Sequence, residues 1–266
     1  MGQECVRWAS IGSPFGDIGG RPGPKKPLST GRIFVHARLS LKSSDFFTLP
    51  PSLASFRAFF AAEAAPWEWV KQIGAALAAL QAGPRAAAIP AGVQVEGIVV
   101  LGEGVALPAH ATLIGPCWIG ARSQIRPGAF IRGNVITGEG CVLGNSSEFK
   151  NCLLLDGVQA AHFNYVGDSV LGNGAHLGAG AICSNLRLDQ KNVFIQAEGA
   201  AVDTGLKKFG AVLGDGAEVG CNAVLNPGAV LGRRSLVMPA MAFGGVLPAD
   251  TIARVRQQVT FVPRKF

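Results

Sequence analysis

The sequence predicts an all-β solenoid, a left-handed parallel β-helix built from hexapeptide repeats and preceded by a short N-terminal helical cap. Three observations predict it. Aliphatic residues recur every six positions at Leu101, Leu107, Leu113, Ile119, Ile125 and Ile131, again at Leu171 and Leu177, and again at Leu213, Val219, Leu225, Leu231 and Val237. A small residue follows many of them four places on, as at Ala111, Cys117, Ser123, Ala129, Ala175, Ala181, Ala217, Ala223 and Ala229. Gly often comes directly after the aliphatic, as at Gly102, Gly120, Gly172, Gly178, Gly214, Gly220 and Gly232. Neither a helix, with a period of 3.6, nor an alternating strand, with a period of 2, makes this pattern. A triangular coil does. Each hexad supplies one flat side, the aliphatic points inward, and the small residue fits the corner. Three hexads close a turn, so residues 18 apart stack at about 4.8 Å. The left hand is an exception to the usual crossover rule.

Composition agrees with a repeat solenoid. The chain has 266 residues, 36 of them Gly, with 48% apolar and 15% charged, so it is not a disordered polymer. A net charge of +7 would invite a nucleic-acid partner, but five of those charges fall in residues 1–44. With a single Tyr and no basic-aromatic stripe, no nucleic-acid partner is expected. The six cysteines show no C-x-x-C pair and no zinc-ligand spacing, and Cys117, Cys141 and Cys183 fall at hexad packing places. They read as reduced packing residues, no metal site is expected, and the protein is expected to be cytoplasmic. No apolar run reaches a membrane span and no secretory leader is visible, so no membrane partner is expected either.

In chain order, residues 1–44 are rich in Gly, Pro, Ser and basic side chains and read as a flexible basic tail, a mistaken upstream start or a weak targeting segment. Residues 45–90 form the helical cap. Asp45–Phe60 is an aromatic packed segment, and Pro66 opens a helix whose Val70, Ile73, Leu77 and Leu80 make one apolar stripe before Gly83-Pro84. That helix is expected to cover the open first coil, with its tryptophans as packing anchors. The β-helix occupies residues 91–247, with the repeat slipping between Asn151 and Val166 and vanishing between Ser184 and Lys208. Such departures are expected to become loops, where function concentrates. Residues 248–266 read as a terminal helix and tail.

Arg132 and Lys150 are 18 apart, so they should stack as two cations on one side of the coil. Either a ligand anion lies between them or Glu139 or Glu148 neutralises them. His162 falls in the first phase break, whereas His36 lies in the tail and His110 in a regular coil. A His at a solenoid edge is suited to take a proton near neutral pH, which attack by an amine on an acyl carbon requires. Glu148 is the candidate to orient that imidazole, and corner backbone N–H groups are candidates to hold an oxyanion.

The segment IRGNVITGEGCVLGNSSEFKNCLLLDGVQAAHFNYVGDSVLGNGAHLGAGAICSN resembles the acetyltransferase half of the bifunctional UDP-N-acetylglucosamine pyrophosphorylase/glucosamine-1-phosphate N-acetyltransferases. Its A-x-H-x-x-Y-x-G-D core is more specific than hexads in general. The later run DTGLKKFGAVLGDGAEVGCNAVLNPG resembles archaeal-type members and stand-alone sugar acyltransferases, and the likeness covers roughly residues 90–250. The resemblance implies an acetyl-CoA-dependent N-acetyltransferase of an amino-sugar phosphate, in nucleotide-sugar or cell-envelope precursor synthesis. It implies His162 as general base and Arg132, Lys150 and Tyr165 around the sugar phosphate. Ala179, Asn185, Leu186, Cys221 and Pro239 would lie along a groove for acetyl-CoA. A homotrimer with sites between subunits is also implied.

This chain departs from that pattern. His176 stands where an Asn usually helps bind the sugar, Leu186 replaces an aromatic, Cys221 a Ser and Pro239 an Ala, and Lys191 is out of register with a family Lys. The base and phosphate positions are kept, while the sugar is left open. No G-x-G-T-R start precedes the repeats, so uridylyl transfer is not expected. Three rivals carry other chemistry: O-acyl transfer to a sugar, a non-catalytic assembly module, and a zinc hydratase like the γ-class carbonic anhydrases. The last is disfavoured because His162 and His176 are fourteen apart and no close His pair exists.

Overall fold

The computed structural model describes residues 41–80, 88–197, 200–256 and 258–264. Its body is the expected parallel β-helix. Two faces carry eight strands each, the first running from Gly92–Glu96 to Ala242–Phe243 and the second from Val99–Leu101 to Val246–Leu247, and the third, from Gln124–Ile125 to Ile252–Ala253, carries seven, all paired in parallel along the stack. The hexad aliphatics make the core: Leu113, Ile119, Ile131, Leu171, Leu213, Leu225 and Val237 have no exposed surface, and Ala129, Ala175 and Ala217 are buried with them. Each such Leu, Ile or Val contributes roughly 1.5–3 kcal/mol by leaving water. Strand pairing sets the repeat, with Leu113 beside Ile131 and Ile131 beside Phe149, eighteen residues apart each time.

The two breaks in phase have different structures. Around Asn151–Val166 no loop forms, contrary to expectation. Cys152 lies beside Val135 and Leu154 beside Leu171, each seventeen residues away, so this stretch is a coil one residue short. Asn151 turns the corner alone where the coil below uses Gly133 and Asn134, and all three have left-handed backbone. The second break is a true excursion. Leu171 pairs next with Leu213, forty-two residues on. The intervening chain carries an antiparallel hairpin, Phe194–Ala197 with Ala200–Asp203, and rejoins the coil near a Leu186–Lys208 bridge.

The N-terminal helical segment is present but lies elsewhere than expected. Helix α1 (Ser43–Phe46), a 3₁₀ turn (Pro51–Phe56) and helix α2 (Pro66–Ala78) pack along the outside of the second face, not across the first coil. The reason lies in the outward residues of that face: Ile136, Leu153, Val170, Val212 and Val230 are apolar and demand a cover. Val70, Ile73 and Leu77 supply it, with Phe56, Trp67 and Trp69 filling the edges. Trp67 and Trp69 are buried there, as packing anchors should be, and Trp69 also donates its indole N–H to Ala61 O at 2.8 Å.

At the other end, the expected terminal helix is absent among the described residues. Ile252–Ala253 instead pairs with Leu236–Val237, which extends the coil beyond residue 247. Cys117, Cys141, Cys152 and Cys183 are buried and unpaired, as packing residues should be; Cys221 is exposed. The expected flexible tail lies outside the described residues up to residue 40, and its last two positions open α1. No described helix is long and apolar enough to cross a membrane.

Candidate active site

The first face is framed by two edges, and the candidate residues lie along both. His162 ends the strand Gln159–His162 at the edge between the third and first faces, where it is exposed. Its corner is firmly built. Phe163 takes a left-handed φ of 53°, and the buried Asn164 accepts the His162 backbone N–H at 3.1 Å. The Asn164 amide donates to Gly178 O at 2.8 Å and Ala181 O at 3.2 Å, tying the corner to the next coil.

The same edge continues upward. Gly180 N–H donates to His162 O, Asn222 N–H to Ala179 O and Ala240 N–H to Cys221 O, at 3.0, 2.8 and 2.9 Å. His162, Ala179, Cys221 and Pro239 therefore stand in successive coils of one row. His176 lies on the third face beside Glu218, not with the two cations. It lines a 240 Å³ cavity with Cys221, Met238 and Pro239.

Across the first face, the register of Phe130 with Glu148 and of Ile131 with Phe149 brings Arg132 level with Lys150 in the next coil, as their spacing of eighteen predicts. Both cations already hold carboxylates of their own chain. Arg132 Nη1 donates to Glu148 at 2.7 Å, and Lys150 Nζ lies 3.0 Å from each oxygen of Asp168. Glu139 pairs with Arg122 instead. The neutralising alternative thus holds for Arg132 through Glu148, while Lys150 is met by Asp168 and by neither of the two expected acids. One correction follows: the Glu148 carboxylate is engaged by Arg132 and not by the imidazole. Glu148 also raises the guanidinium pKa of Arg132 through their hydrogen bond.

Tyr165 lies in register with Glu148, and its hydroxyl accepts from Asn185 Nδ2 at 3.0 Å. Partial burial, and then the Glu148 charge, push the phenol pKa up, so it stays protonated. Asn185 is thus on the Lys150 edge, not in the row above His162. Leu186 follows it into a separate concavity with Arg187, Leu188, Asp189 and Asn226. The five residues expected along one groove are split between the two edges.

Sequence reasoning missed two partners. Arg126 Nη1 lies 3.2 Å from His162 Nε2, its neighbour two coils on. The signal was the R-P-G corner 36 residues earlier. Asp168, the last residue of the A-x-H-x-x-Y-x-G-D core, receives Lys150, Asn151 and Asn185 together. Among the described residues no three His, Cys, Asp or Glu side chains converge as a metal site would need.

Comparison with known proteins agrees with the resemblance drawn from the residues. A family model described as the GMPPB C-terminal domain matches residues 113–242, just under half of the chain. The bifunctional protein GlmU of Methanococcus vannielii is 35% identical over 145 residues, which is 54% of this chain and 35% of that protein. The bifunctional sugar-1-phosphate nucleotidylyltransferase/acetyltransferase of Sulfurisphaera tokodaii is 30% identical over 147 residues, 55% of this chain and 37% of that protein. The chain thus spans about a third of the length of these curated relatives. Among solved structures, PerB from Caulobacter crescentus, in complex with CoA and GDP-perosamine, is 18% identical with a TM-score of 0.28, covering 61% of this chain and 50% of that one. The chain therefore carries a hexapeptide-repeat β-helix similar in sequence to GlmU-type bifunctional proteins.

Proposed function

We propose that this chain transfers an acetyl group from acetyl-CoA to the amine of a sugar phosphate resembling glucosamine 1-phosphate. The observation that carries the reading is the framing of the first face. An exposed imidazole heads the row Ala179, Cys221 and Pro239 on one edge, and Lys150, Tyr165 and Asn185 stand on the other. The similarity to bifunctional sugar-phosphate transferases supports the same chemistry.

In this reading the thioester lies along the His162 row, and the sugar phosphate meets Arg132, Lys150 and Tyr165. His162 accepts a proton from the substrate amine, whose lone pair attacks the thioester carbonyl carbon. Backbone N–H groups at the corner hold the oxyanion of the tetrahedral intermediate. Collapse breaks the C–S bond, and the proton held by His162 passes to the departing CoA sulfur. His176, on the third face, is assigned to the acetyl-CoA side with Cys221 and Pro239, whose cavity it lines. Three copies of the chain around an axis would close the open edge of each site, and the protein would work in the cytoplasm.

The test is thiol release from acetyl-CoA in the presence of glucosamine 1-phosphate, glucosamine and a hydroxyl-only sugar phosphate. Turnover with the amine-bearing phosphate alone is expected. Turnover with the hydroxyl acceptor alone would replace N-transfer by O-transfer. Bound CoA without turnover on any acceptor would overturn the enzyme reading.

A further inference from the structure

We propose that Asp168 is the positioning residue of the acceptor edge, holding Lys150 from the coil below and Asn185 from the chain above in one fixed arrangement. The assignment of that edge to the acceptor rests on the transferase reading above. Asp168 occupies a corner where the backbone is left-handed, with φ of 49°. The corners stacked beneath it have the same conformation and carry Asn134 and Asn151, with φ of 52° and 47°. An Asn therefore satisfies this backbone, and the backbone does not explain a carboxylate at the third corner.

The surroundings explain it. The residue is 3% exposed, and every side-chain group recorded against its oxygens is a donor. Lys150 Nζ reaches both oxygens at 3.0 Å, Asn151 Nδ2 reaches Oδ1 at 2.8 Å, and Asn185 Nδ2 reaches Oδ2 at 2.5 Å. An amide at this corner would turn its own N–H₂ toward one of these half-buried donors, leaving two donors face to face. A carboxylate accepts from all of them.

The consequence is geometric. An ammonium has three N–H bonds; with two aimed at Asp168, the third is left for an anion on the first face. Asn185 shares the same nitrogen between Asp168 and the Tyr165 hydroxyl, so the carboxylate also fixes the phenol, one bond removed. Asp168 contacts neither His162 nor the row above it, so it should govern acceptor binding and leave proton transfer alone.

The experiment compares D168N, K150M and the double variant. D168N keeps a side chain whose backbone this corner already accepts twice, so the fold should persist, with Tm lowered by about 10 °C or less through the mispaired donors. Expected is a rise in the acceptor KM of about tenfold or more, with kcat within about threefold, and a double variant whose loss is well short of the product of the two single losses. Multiplying losses, or a fall in kcat with KM unchanged, would overturn the proposal. Asparagine-labelled ¹⁵N spectra supply a readout free of turnover. The Asn185 side-chain amide should be slow to exchange in the parent protein and lose that protection in D168N; an unchanged amide overturns the assignment. If the parent protein acetylates no acceptor, the transferase reading falls, while the amide spectrum still decides what Asp168 holds.

Discussion

His162 Nε2 and Arg126 Nη1 are 3.2 Å apart, and a guanidinium can only donate. In the neutral ring, Nε2 therefore carries the lone pair and Nδ1 the proton. That contact occupies the lone pair a base needs, so His162 takes a substrate proton at Nε2 only once Arg126 has released it. The same Arg126 also reaches Gln124 Oε1 at 3.1 Å, so it is itself held in place.

Substituting Met for Arg126 frees the Nε2 lone pair for the substrate proton. The rate constant kcat for acyl transfer should rise by about two- to tenfold, with acceptor KM within about twofold. Lys at this position should give back part of the gain. Steady-state kinetics with saturating acetyl-CoA measure it, and an unchanged kcat would show that the contact is incidental.

Removing the imidazole should do far more. His162→Ala is expected to lower kcat by about 10²–10⁴ without altering CoA binding by calorimetry. Normal turnover by that variant would end the assignment of the base.

The row above His162 has a chemical reporter. Burial pushes the thiols of Cys117, Cys141 and Cys183 up to about 12, and that of Cys152 well above its ordinary value, so all four remain thiols at pH 8. Cys221 is exposed. In a Cys5→Ser background, one thiol should react quickly with an aromatic disulfide reagent and the other four only after denaturation. Added CoA should slow the fast reaction. Labelling at an undiminished rate in saturating CoA would remove this edge from the cofactor site.

The cover on the second face makes a stability prediction. Ile73 has no exposed surface, sealed between α2 and that face, while Leu80 past the end of α2 is only partly buried. Ile73→Ala should cost about 2–5 kcal/mol by urea unfolding, and Leu80→Ala less than half as much. Equal small losses would mean that the helix is loosely attached.

The period of six in the sequence was enough to determine the solenoid, its inward side chains and the stacking of Arg132 over Lys150, because one hexad per flat side is a local rule repeated. It also marked His162 and the insertion after Ser184 as departures. Partner choice was decided only in three dimensions. Whether coils step by seventeen or eighteen residues depends on corner lengths such as the lone Asn151, and a one-residue difference sets who meets whom. Glu148 turns to Arg132, leaving the imidazole to Arg126, and Lys150 turns to Asp168, because these side chains meet across coils where no hexad rule constrains them. The helical segment likewise follows buried area: its apolar stripe was legible, but the surface it covers exists only after Ile136, Leu153, Val170 and Val212 have been stacked side by side.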